Sequence, residues 1–115
     1  MLEDDTRLIY TAVDDNDTVL GYAFCEIRQQ AQRDNLVQFQ TVYIDDLCVD
    51  KDQRGKHIGQ ALFYHVCQKA KELGCYEITL NVWEGNDTAR YFYEHLGFKP
   101  RSTTMEYILD RALPQ

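Results

Sequence analysis

Asp50-Lys51-Asp52-Gln53-Arg54-Gly55-Lys56-His57-Ile58-Gly59 is the stretch on which the reading of this 115-residue chain turns. Before it, residues 41–49 run Thr-Val-Tyr-Ile-Asp-Asp-Leu-Cys-Val, β-branched and aromatic enough for a strand. After it, Ile58, Ala61, Leu62, Val66, Cys67, Ala70 and Leu73 recur at the spacing of one helix face, with Gly74 as the stop. Strand, short loop and helix start in that order bind anions. The unpaired N–H groups of the first turn point outward, the helix dipole adds about half a positive charge, and glycine removes the Cβ that would hold a phosphate away. Arg54 and Lys56 add cations at that spot, with the imidazole of His57 beside them. No Gly-Lys-Ser or Gly-Lys-Thr closes the loop and it is not GxGxxG, so a nucleotide-hydrolysing loop and a dinucleotide fold both lose support. A blander reading stands beside this one: Gly55 and Gly59 make a tight connection and the cations are solvated surface.

Residues 77–83 alternate polar and apolar as Glu-Ile-Thr-Leu-Asn-Val-Trp, the period of a strand. Asn86 or Asp87 caps a short helix with Ala89, Phe92, Tyr93 and Leu96 on one face, and Gly97 terminates it. Residues 103–109 are expected as a last strand. On the N-terminal side, residues 6–13 and 19–28 read as two strands joined by the turn Asp14-Asp15-Asn16-Asp17, and the polar residues 29–40 as a loop or strand end. The order is β-β-β-α-β-α-β. Its opening hairpin implies antiparallel neighbours, and the helix between the third and fourth strands implies a parallel crossover. The fold class is α/β, a mixed, mostly antiparallel sheet with flanking helices, in a single domain over residues 1–115.

Twelve Lys and Arg against nineteen Asp and Glu leave a net charge of −7, which disfavours nucleic acid and anionic membranes as partners. Cations gathered at one helix start of such a chain suit a small phosphorylated ligand. No apolar run approaches the roughly 20 residues of a spanning helix, and Met1-Leu2-Glu3-Asp4-Asp5 lacks the pattern of a secretory signal. A cytoplasmic setting is the expectation. Cys25, Cys48, Cys67 and Cys75 form no CxxC pair and have no His at zinc-finger spacing, so no metal site is expected and the four read as reduced thiols, Cys25, Cys48 and Cys67 acting as small hydrophobes.

Arg54-Gly55-Lys56-His57-Ile58-Gly59 resembles the Q/R-x-x-G-x-G/A signature of the GNAT N-acetyltransferases, which use acetyl-CoA as cosubstrate. The resemblance runs over residues 8–109 and takes in Tyr43-Ile44-Asp45-Asp46-Leu47-Cys48-Val49 and Asn86-Asp87-Thr88-Ala89-Arg90-Tyr91-Phe92-Tyr93-Glu94-His95-Leu96-Gly97-Phe98. His57 stands where the first signature glycine is usual. Either it holds the left-handed conformation at some strain, or the turn shifts. The resemblance implies that the strand before the loop is bulged and that Leu47, Cys48 and Val49 pair by their backbone with the pantetheine arm and acyl carbonyl. It further implies that Arg54, Gly55, Lys56, His57, Ile58, Gly59 and Gln60 hold the cofactor from the helix start, that the fourth strand splays away, and that Asn86 and Asn81 contribute to cofactor binding.

Tyr93 matches the general acid that protonates the departing thiolate; a phenol with pKa near ~10 carries its proton at neutral pH. It also shares helical spacing with Phe92 and Leu96, as a core residue would. Asp45 matches the carboxylate of polyamine-type members and is the expected base, with Asp46 and Glu26 behind it. As neighbours, Asp45 and Asp46 face opposite sides of a strand unless a bulge intervenes, and both also read as a solvated acidic strand end. Family domains usually begin with a strand and two helices that have no counterpart here, so the expectation is an N-terminally short member that forms a homodimer through the last strand or the first hairpin. The function expected is acetyl transfer from acetyl-CoA to a primary amine of a small molecule or peptide. The alternatives are a non-catalytic acyl-CoA-binding module and a purely structural domain.

Overall fold

The computed structural model describes residues 6–31, 38–53, 55 and 57–109. The chain divides into two compact units, Met1–Asn81 and Val82–Gln115. In the first, β1 (Arg7–Val13), β2 (Val19–Ala31), β3 (Gln38–Val49) and β4 (Glu77–Leu80) form one sheet in the order β1-β2-β3-β4. β1 with β2 and β2 with β3 are antiparallel, whereas β3 with β4 is parallel. The crossover between those two is α1 (Ile58–Glu72), as the helical spacing predicts.

The β1–β2 hairpin closes through Asp14, whose Oδ1 accepts the N–H groups of Asn16 at 2.8 Å and Thr18 at 2.9 Å. That is why a run of four acidic and amide residues reads as a turn. β2 and β3 are longer than their apolar patterns suggested and take up parts of the polar stretch 29–40, since ladder pairs continue to Ala31↔Gln38. Residues 32–37 lie outside the described residues.

One face of the sheet packs on α1. Ala23, Cys25, Val42 and Ile44 meet Leu62, Phe63, Val66 and Ala70 there, and all eight are buried. Tyr10 sets its ring edge against His65 at 4.8 Å and carries the contact out to β1. At the loop end of β2, a Cβ on Gly21 would lie 2.8 Å from the carbonyl oxygen of Cys48 and 3.2 Å from Leu62 Cδ1. Overpacking of that kind costs about 1–3 kcal/mol, so the start of α1 sits close over β3 only because residue 21 lacks a side chain. α1 stops as expected: Gly74 adopts φ 75°, and its N–H and that of Cys75 donate to Lys71 and Ala70, the paired bonds of a Schellman ending.

The second unit holds α2 (Asp87–Leu96). Residues 103–109 are not a strand, contrary to the expectation. Met105, Tyr107 and Leu109 are exposed, and α2 is the only regular element described in that unit, so no strand edge there meets their hydrogen-bonding groups. β4 likewise ends at Leu80, three residues short of the alternating run to Trp83.

All four cysteines are free. Cys25 is buried as a small hydrophobe, but Cys48 is exposed, because it falls on the face of β3 opposite α1. Burial pushes the Cys25 thiol up to about 11 from 9.0, and raises Cys67 and Cys75 as well. The folded state therefore keeps a proton that the unfolded chain releases above pH 9, and stability falls as pH rises from 9 toward 11. Thermal melts across that window are expected to show the midpoint dropping, less steeply in Cys25→Ala. Equal slopes in both proteins would exclude Cys25 as a source.

Candidate active site

The register of β2 against β3 slips between Phe24 and Cys25: Cys25 pairs with Ile44 and Phe24 with Asp46, which leaves Asp45 as an extra residue. This is the bulge that the family resemblance implied. Ile44 is buried under α1, while Asp45 and Asp46 are both exposed. Strict alternation would have put one of them under α1; the bulge spares the core a carboxylate and turns both to the other face. Beyond the bulge, Leu47, Cys48 and Val49 keep their pairs with Ala23, Tyr22 and Gly21. On the other side the ladder with β4 ends at Ile44↔Leu80. Among the described residues no strand pairs with that edge of β3 from Asp45 onward.

The edge runs directly into the loop and α1. Asp50 starts the connection, its Oδ1 accepting the N–H of Asp52 at 3.1 Å and its carbonyl that of Gln53 at 2.8 Å. This single turn, Lys51–Gln53, precedes Gly55 at φ 86° and His57 at φ 63°, ψ 23°. His57 thus holds the left-handed conformation, the first of the two outcomes left open by the sequence. As N-cap of α1 it offers no side-chain hydrogen bond, and no acidic residue stands in the first turn. The amides of Ile58, Gly59 and Gln60 have no intrahelical partner by position and none from the cap. Gly59 is buried, which keeps the helix start tight on the sheet. The Gln60 side chain donates to Tyr64 Oη at 3.2 Å. Arg54 and Lys56, the two cations expected here, lie outside the described residues.

On the sheet face away from α1, Tyr22 Oη donates to Asp46 Oδ2 at 3.1 Å. Asn81 Nδ2 donates to Tyr43 Oη at 3.1 Å, the Arg28 guanidinium lies 3.9 Å over the Tyr43 ring, and Arg28 Nε meets Glu26 Oε1 at 2.6 Å. Asn81 and Glu26 are therefore tied into one polar row across the sheet. Neither Tyr22 nor Tyr43 stands out in the sequence, since each finds its partner across strands, 24 and 38 residues away.

Asn86 and Tyr93 belong to the second unit. Asn86 caps α2, its Oδ1 accepting the Ala89 N–H at 3.2 Å. The helix closes with Gly97 at φ 111° and with Phe98 N–H donating to the Tyr93 carbonyl at 3.1 Å. The Tyr93 ring packs edge-on against Phe98 at 5.5 Å and Phe92 at 5.1 Å. This is the apolar contact that accompanies a Schellman ending, so the ring is locked in place by the helix terminus.

The conformation of His57 is testable. A non-glycine residue in the left-handed region costs about 1–2 kcal/mol, and glycine gives back part of that in chain entropy. His57→Gly is expected to leave the urea midpoint unchanged or to stabilise by up to about 1 kcal/mol, whereas His57→Val loses about 1–2 kcal/mol. Equal stability of the two variants would place residue 57 elsewhere in backbone space.

Residues 1–98 match the Acetyltransferase (GNAT) family model. A glucosamine 6-phosphate N-acetyltransferase of Trypanosoma brucei brucei is 33% identical over 63 residues, 55% of this chain and 41% of that protein. The peptidyl-lysine N-acetyltransferase YjaB of Escherichia coli is 38% identical over 71 residues, 59% of this chain and 45% of that protein. Among solved structures, a mutant of the BH1408 protein of Bacillus halodurans superposes with TM-score 0.83 at 32% identity, over 91% of this chain and 67% of the other. The chain thus spans about half the length of these curated relatives or less. The mixed sheet, the bulge and the uncapped helix start agree with the family match, and the chain belongs to the GNAT acetyltransferase family.

Proposed function

We propose that the chain is an N-acetyltransferase that moves acetyl from acetyl-CoA to a primary amine by direct attack in a ternary complex. The observation that carries this reading is the open edge of β3 after the bulge, continuous with a helix start whose amides have no cap. An extended pantetheine arm can add to such an edge as a strand does, with the backbone of Leu47, Cys48 and Val49 as its partner. The diphosphate then falls at residues 54–60, where helix-start amides, the dipole and the cations Arg54 and Lys56 favour negative charge. Asn86 spends its oxygen on the α2 cap and has its amide N–H groups to offer the cofactor; Asn81 is the lesser contributor.

In the reaction the neutral amine nitrogen bonds to the thioester carbonyl carbon and the carbon–sulfur bond breaks. Backbone N–H groups at 47–49 stabilise the oxyanion. Asp45 takes the amine proton through water, and Tyr93 gives its proton to the leaving sulfur. The two relatives are named for different acceptors, glucosamine 6-phosphate in one and a peptidyl lysine in the other. A net charge of −7 and the carboxylates at the bulge favour a cationic acceptor such as a lysine side chain, a polyamine or an aminoglycoside.

The same reading includes a homodimer in a cytoplasmic setting. Ile9 pairs with Phe24 and Val13 with Val19 on the hairpin, all four exposed, and this apolar face supports the first hairpin as the contact. Among the described residues no helix is long and apolar enough to cross a membrane.

Calorimetry with acetyl-CoA, followed by thiol release against an amine panel, tests the activity; binding without amine-dependent release would favour a non-catalytic acyl-CoA-binding module. Tyr93→Phe keeps the ring contacts with Phe92 and Phe98, so it is expected to lower kcat by about 100-fold or more with acetyl-CoA affinity unchanged and the protein still folded by its thermal melt. Full activity in that variant would remove Tyr93 as the acid. Sedimentation velocity is expected to give twice the 13.5 kDa chain mass, and Phe24→Glu to shift it to monomer; a wild-type monomer at high concentration would sink the dimer.

A further inference from the structure

Tyr22 lies on β2 directly across from Cys48 and one pleat from the Phe24↔Asp46 pair. Its hydroxyl therefore reaches the two β3 side chains that flank the proposed acyl strand on the face away from α1. The hydrogen bond to Asp46 Oδ2 is 3.1 Å. The ring is braced by Phe24 at a centroid distance of 4.7 Å, so the hydroxyl is held rather than swinging. Asp45, one residue earlier, makes no side-chain hydrogen bond or ion pair among the described residues. The bulge has thus brought two adjacent carboxylates to one face and the cross-strand phenol has fixed one of them.

From this asymmetry, and resting on the acetyl-transfer reading above, we infer that Tyr22 is a positioning residue for the acceptor: through its hydroxyl it holds the Asp46 carboxylate as the fixed anchor for the incoming ammonium group, while Asp45 stays free to relay the proton. An anchor and a relay need opposite properties. A carboxylate held by a donor keeps its place, which suits binding; an unheld one can turn with water, which suits proton transfer. Tyr22 is itself no competitor for the acid role. Hydrogen bonds to Asp46 and to Cys48, with the charges behind them, push its pKa up to about 12, so it remains a donor throughout the working range. The other charged groups on this face of β2 are Glu26 and Arg28, which pair with each other and leave Asp46 to Tyr22.

The test is a double-mutant cycle in steady-state kinetics with acetyl-CoA saturating and a diamine varied. Tyr22→Phe is expected to raise the KM for the amine about three- to tenfold with kcat within about twofold, and Asp46→Asn to raise it about tenfold or more. In the Asp46→Asn background, Tyr22→Phe adds nothing, because a residue that acts through Asp46 has nothing left to hold. Asp45→Asn instead lowers kcat. Melting temperatures and acetyl-CoA affinities of all variants check that they fold. The same loss from Tyr22→Phe in both backgrounds, or a loss in kcat alone, overturns the assignment and leaves the acetyltransferase reading standing. A wild-type protein that binds acetyl-CoA and acetylates no amine removes both.

Discussion

One extra residue in β3 is the constraint on which the site depends. With Asp45 inserted against β2, β3 changes which of its side chains face α1 halfway along its length. Before the slip, Val42 and Ile44 fill the core; after it, Leu47 and Val49 share the α1 side with Ala23 and Gly21. Without the insertion, one of two consecutive aspartates would be pressed under a helix, where an unpaired carboxylate costs several kcal/mol. The same irregularity bends the strand, and pairing with β4 stops at Ile44. One local defect thus keeps the core apolar, exposes two carboxylates and frees a strand edge.

The edge would serve little without the helix start that follows it. Gly21 allows α1 to approach β2 and β3 closely, and the left-handed residues Gly55 and His57 turn the chain sharply enough for the helix to begin there. A left-handed N-cap with no side-chain acceptor leaves the first amides of α1 without a side-chain partner from the cap. Strain at residue 57 and an unfilled cap both cost stability, and both sit where the proposed cofactor's diphosphate would offset them.

Tyr93 illustrates how a structural role and the proposed chemical role fall on one residue. Its backbone carbonyl and its ring belong to the ending of α2, so the core-like helical spacing of Phe92, Tyr93 and Leu96 is real. The packing against Phe92 and Phe98 fixes the ring.

Local patterns in the sequence determined a good deal: the hairpin at Asp14, the helical face from Ile58 to Ala70, the caps at Asn86 and Gly97, and the cation-flanked loop each rest on residues within a few positions of one another. Whatever depends on partners far along the chain was decided by tertiary structure. Residues 103–109 are expected as a strand and are not one, because local composition describes a single segment whereas a strand needs a neighbour to bond. Cys48 reads as a small hydrophobe and is exposed, because the bulge two to three residues earlier sets its face. The polar row Glu26–Arg28–Tyr43–Asn81 and the Tyr22–Asp46 pair join residues far apart along the chain. Register, which no single segment carries, chose their neighbours.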